Sequence, residues 1–141
     1  MTTTRDFAAL LHQPQSDDPA HRLLLFAFRQ IGANGLDDAC AAHAFVTAFG
    51  KDFRRPLILL RTLMMELSSV STRPIQIAPW CCSRMTPDEG ALLAVLGKST
   101  TCEATANLLL TDMLGVRDAG GPLATATALA IAFADMGMPL G

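Results

Sequence analysis

Four cysteines, a histidine three residues from one of them, and a short basic stretch are the groups in this chain with chemistry to offer. Cys81 and Cys82 stand side by side in Pro79-Trp80-Cys81-Cys82-Ser83-Arg84-Met85-Thr86-Pro87-Asp88-Glu89, which also holds the only tryptophan. Adjacent cysteines pair with each other only through strained geometry, so they read as two thiols offered at one point. They precede a helix start and lie close to Arg84, and both features lower a thiol pKa when the sulfur is near them in space. Cys40 and His43 form a C-x-x-H pair, and residues three apart on a helix share a face. Sulfur with imidazole suits zinc or another borderline metal. Cys40, His43, Cys81 and Cys82 together supply four ligands for a thiol-based metal, haem or redox site, with Cys102 as a fifth candidate. The spacing is not that of a zinc finger, and no C-x-x-C motif is present. Zinc or haem is therefore the alternative rather than the leading expectation. Convergence requires the second helix to lie against the 79–86 corner. Cys102 continues the apolar stripe of its own helix and reads as a small core residue.

Arg54, Arg55 and Arg61 sit at the start of the third helix, where the helix dipole favours an anion. Arg84 lies between the cysteine pair and a capped helix start. It is expected to pair with an acidic side chain and to order residues 79–86, or else to hold an external anion. Trp80 and Met85 suggest a corner that packs inward. These four arginines are the candidate anion- or partner-binding residues. Hydrolytic catalysis has little support, because no G-x-S-x-G, H-E-x-x-H or P-loop pattern occurs. The acidic pairs Asp17-Asp18, Asp37-Asp38 and Asp88-Glu89 all fall at helix starts, where they complement the helix dipole.

The elements that position these groups are helices. Asp18 caps a helix with Pro19 at its first position, running to Ile31 and stopping at Gly32 to Gly35. A second helix covers about 37–49 and ends at Gly50. A third runs from Asp52 or Phe53 to about Ser69 and is apolar nearly all round, which makes it central. Residues 72–80 break the helical pattern and form an extended connection, with Pro74 and Pro79 opposing a central strand. Thr86 to Glu89 has the form of a capping box and opens a helix to Gly97. Thr100 to Glu103 has the same form and opens another, to about Leu114. Gly120-Gly121-Pro122 starts the last helix, to about Met136, where Ala126, Ala130 and Ala134 offer a small-residue surface to another helix. The fold expected is all-α, one single-domain bundle of about five main helices (residues 17–141). A flexible N-terminal arm precedes it (residues 1–16), with a short helical piece at Phe7 to Leu11.

Composition bounds the function. The chain has 141 residues, half of them apolar and 17% charged, with a net charge of −2. That fits one domain with a full core and excludes a disordered chain. Residues 51–84 carry six basic and two acidic groups, and residues 85–141 carry two basic and six acidic ones. The helices at 87–97 and 101–114 imitate a helix-turn-helix. The second, however, carries Glu103 and Asp112 and no Lys or Arg, so phosphates would repel it and no nucleic acid is expected. No stretch has the apolar length of a membrane span, so no membrane is expected as a partner. Residues 1–15 lack the features of a signal peptide, which makes the cytoplasm the expected compartment. The leading expectation is a small cytoplasmic helical binding or adaptor protein without catalytic activity. Its partner is another protein or a second copy in a homodimer, met through the alanine-lined last helix.

The stretch Phe53-Arg54-Arg55-Pro56-Leu57 through Leu60-Arg61, with Cys81-Cys82-Ser83-Arg84-Met85-Thr86 and Glu89, resembles a family of small uncharacterised alphaproteobacterial proteins over roughly residues 20–97. The resemblance implies a bacterial cytoplasmic protein and carries no activity, cofactor or site. Nine arginines beside two lysines agree with a GC-rich genome.

Overall fold

A computed structural model of the chain describes residues 13–141. It is an all-α bundle of six helices: α1 (Pro19–Asn34), α2 (Ala39–Phe49), α3 (Arg54–Val70), α4 (Pro87–Lys98), α5 (Glu103–Leu114) and α6 (Gly120–Asp135). A 3-10 turn, Gly50–Asp52, joins α2 to α3. Two residues on each side form a small antiparallel pair, β1 (Gln13–Pro14) with β2 (Arg84–Met85), in which Gln13 faces Met85. The expected helical piece at Phe7 to Leu11 lies outside the described residues. Residues 13–15, expected in a loose arm, are tied to the corner by this pair and by the Gln15 amide, which donates to the Cys82 carbonyl at 2.7 Å.

Local signals set most helix ends. The Asp18 carboxylate accepts from Ala20 N–H at 2.8 Å, with Pro19 at the first helical position. The Asp38 carboxylate accepts from Ala41 N–H at 2.8 Å, so α2 opens just after the acidic pair. Thr86 and Glu89 form a full reciprocal capping box. The second expected box does not form. Cys102, not Thr100, is the N-cap of α5, and no side chain caps that end. The cause is the tight α4–α5 connection, in which Cys102 N–H bonds the Lys98 carbonyl at 2.7 Å. Helix α1 runs through Gly32 to Asn34. The Ile77 side chain lies against Gly32, 3.2 Å from where a Cβ would stand, a close approach that glycine permits.

Helices α3 and α6 pack antiparallel. Arg55 near the start of α3 meets Asp135 at the end of α6 at 3.1 Å, and Glu66 near the end of α3 accepts from the Thr125 hydroxyl near the start of α6. Ala126 and Ala130 are buried in the bundle, so the small residues of the last helix serve packing within the fold. The partner surface expected there is thereby replaced; only Ala134 of that row is exposed. Helix α3 is also more one-sided than its sequence implied. Leu57, Leu60, Leu63 and Leu67 are buried, while Ile58 and Met65 face solvent. One continuous core joins Leu24 and Phe28 of α1, Phe45 of α2, Leu60 and Leu63 of α3, Leu96 of α4, Leu110 of α5 and Phe133 of α6. Phe45, Phe49 and Phe133 meet edge to face within it, with centroids 5.1–5.9 Å apart.

Candidate functional site

The connection from α3 to α4, residues 71–86, has no regular structure beyond β2, yet its backbone is held at successive points. At its start, Thr72 N–H bonds the Leu114 carbonyl at 2.9 Å, and Arg73 Nε donates to the Met113 carbonyl at 2.8 Å. A cation at a helix C-terminus also offsets the dipole of α5. Gly115, which ends α5 in a left-handed conformation (φ +68°), leaves room here. A Cβ on it would stand 2.5 Å from the Thr72 hydroxyl. In mid-segment, the Asp88 carboxylate accepts Gln76 N–H at 2.7 Å, and the Thr86 hydroxyl donates to the Gln76 carbonyl at 2.5 Å.

The strongest anchor is a buried ion pair. Arg29 of α1 and Glu89 of α4 are each 2% exposed. Arg29 Nε donates to Glu89 Oε2 at 2.8 Å and Nη2 to Oε1 at 3.0 Å, a bidentate fork. The rest of the guanidinium reaches the corner backbone: Nη1 donates to the Cys82 carbonyl and Nη2 to the Arg84 carbonyl, both at 2.6 Å. The Glu89 carboxylate also accepts Ala78 N–H at 3.2 Å and Thr86 N–H at 2.9 Å. A buried charge pair is tolerated when its remaining donors and acceptors are satisfied in this way. The Arg29 guanidinium thus helps to order the corner, and Arg84 supplies it with a backbone carbonyl.

On that framework the side chains at the tip of the corner point outward. Cys82 N–H bonds the Pro79 carbonyl at 3.0 Å, closing a turn with Trp80 and Cys81 at its tip. Trp80 is 67% exposed and Cys81 is exposed, whereas the sequence suggested that Trp80 packs inward. The two central residues of a tight turn project away from its base, and the base here is the anchored side. Met85 does pack inward. A cleft of about 300 Å³ adjoins the segment, walled by Met64 and Leu67 of α3, Gly32 of α1, Leu92 of α4, Ile75 and Ile77.

The remaining sequence candidates are dispersed. Cys40 and His43 share a separate shallow recess with Phe26. Among the described residues, no three His, Cys, Asp or Glu side chains gather as a metal site would require, so Cys40, His43, Cys81 and Cys82 are not brought together. Arg54 lies over the Phe53 ring at 5.8 Å, Arg55 is paired with Asp135, and Arg61 is half-buried, its Nε without a hydrogen-bond partner among the described residues.

Cys102, expected in the core, is exposed at the start of α5. The Thr105 hydroxyl, 3.0 Å from its sulfur, holds the thiol pKa below its ordinary value, with help from Thr105 N–H and the Lys98 charge. Cys102 is therefore thiolate at a lower pH than a thiol in the unfolded chain. Alkylation followed residue by residue across a pH series should show its half-maximal rate displaced to lower pH, and Thr105→Val should move it back up. Equal midpoints for folded and unfolded protein would contradict this assignment.

A model of a family of unknown function, DUF6628, matches residues 1–139, and the chain belongs to that family. No curated protein and no solved structure matches it.

Proposed function

We propose that this DUF6628 member is a small helical binding protein without catalytic activity, which meets a protein partner through the 72–86 corner. The observation that carries the reading is Trp80. The only tryptophan of the chain stands in solvent on a turn whose backbone is fixed from inside by the Arg29–Glu89 pair. An exposed aromatic on a pre-ordered support loses little freedom on binding and offers a large contact area, the properties of an interface anchor. The absence of catalysis finds support in the same place. Both oxygens of the most buried carboxylate are occupied by four donors, which leaves little capacity to bind a substrate or take its proton.

A cytoplasmic setting in a bacterium of the alphaproteobacterial kind is part of the proposal. It is supported by the excess of arginine over lysine, nine to two, and by four free cysteines. Among the described residues no helix is long and apolar enough to cross a membrane. Acidic Glu103 and Asp112 on the exposed side of α5 argue against nucleic acid as the partner. The thiol alternative narrows to Cys81 and Cys82, presented at the same turn.

The test is a photo-crosslinking residue placed at position 80 in cells, with one at exposed Leu108 as control. A discrete protein adduct at 80 and none at 108 is expected. No protein adduct at 80, or reproducible turnover of a small molecule by the pure chain, would overturn the reading.

A further inference from the structure

Cys81 and Cys82 are free thiols at one turn, Cys81 exposed and Cys82 half-buried. The backbone that carries them is held. Cys82 N–H bonds the Pro79 carbonyl at 3.0 Å, and the Cys82 carbonyl accepts from Arg29 Nη1 at 2.6 Å and from the Gln15 amide at 2.7 Å. Consecutive Cα atoms stand about 3.8 Å apart, and each sulfur turns on a single side-chain bond. The two sulfurs can therefore meet one shared atom while the anchored backbone stays in place, and binding costs little ordering. A disulfide between neighbours would strain the peptide that joins them, so the pair stays available as two thiols.

The donor set selects the ligand. Thiolate sulfur suits Cu(I), zinc and iron–sulfur clusters. Zinc sites take three or four protein ligands, and clusters take four cysteines. Among the described residues no three His, Cys, Asp or Glu side chains gather, and Cys40 with His43 lines a separate recess. Cu(I) is a soft ion with a filled d shell, and two sulfurs satisfy it. We propose that Cys81 and Cys82 together bind one Cu(I) ion. Each S–H gives its proton to solvent and each sulfur forms one S–Cu bond, with the copper unchanged in oxidation state. This site goes beyond the protein-partner reading of the corner and does not depend on it. Trp80, the only tryptophan, is the chain neighbour of Cys81 and reports on the site.

The test is a titration of the reduced full-length chain with Cu(I) under argon, followed by challenge with the Cu(I) chelator bathocuproine disulfonate. One copper per chain should resist the chelator, and Trp80 fluorescence should fall until one equivalent is added and then level off. Cys81 is exposed, so Cys81→Ser leaves the core untouched. Cys81→Ser and Cys82→Ser should each abolish both the retained copper and the quenching. The double variant Cys40→Ser, Cys102→Ser should retain both. Zinc added in the same way should be lost to a chelator and leave the fluorescence unchanged. Failure of the wild-type chain to retain copper overturns the site, as does retention that survives Cys81→Ser with Cys82→Ser, or zinc held in place of copper. A protein adduct at position 80 without copper retention refutes the copper site alone and leaves the partner reading standing.

Discussion

Glu89→Ala lowers stability by about 3–5 kcal/mol, the cost of leaving one member of a buried ion pair behind. Arg29, 2% exposed, would keep its charge with no carboxylate to meet it, and Ala78 and Thr86 would each lose a hydrogen-bond acceptor. The capping box at the start of α4 would be broken as well. Urea unfolding should show the loss as a lower midpoint with little change in slope. Adding Arg29→Met should recover part of the loss, since the uncompensated charge is then gone. A single-variant loss under about 1 kcal/mol would place the pair among weak surface pairs and remove it as the anchor of the corner.

Phe133→Ala is the second large effect, about 3–5 kcal/mol by the usual cost of truncating a buried aromatic. Phe133 is fully buried and its ring touches both Phe45 and Phe49 edge to face, so it fastens α6 to α2. The three rings lock one another, and collapse around the vacancy is limited. Phe49 is only half-buried, so Phe49→Ala should cost clearly less. Equal losses at the two positions, read from urea midpoints, would show that the trio is not organised around Phe133.

The helices were legible because their signals are local. Asp18-Pro19, the Thr86 to Glu89 box and Gly115 declare ends without reference to the rest of the chain. The box at Thr100 misled because the short α4–α5 connection bonds Cys102 N–H to Lys98 and shifts the cap to Cys102. The exposure of Trp80 was hidden because apolar character alone does not fix the direction of a turn. Arg29 was missed altogether, though a signal was present. An arginine flanked by Phe28 and Ile31, in a helix whose last turns carry few other charges, sits on the buried arc and needs a carboxylate. Its partner was concealed because Glu89 already had a sufficient local explanation as the third residue of a capping box. Pairings 60 residues apart leave no periodic trace in the chain.

Amide exchange at Ala78 and Thr86 tests most directly whether the buried pair holds the corner that presents Trp80. Both N–H groups donate to Glu89, that of Ala78 from the irregular stretch before the turn and that of Thr86 from the junction of β2 and α4. In the wild-type protein both amides should exchange far more slowly than in the free chain. In Glu89→Ala, measured where α6 amides remain protected, both should approach the free rate. Rapid exchange at Ala78 and Thr86 in the wild-type protein, or protection there unaltered by Glu89→Ala, would contradict the account.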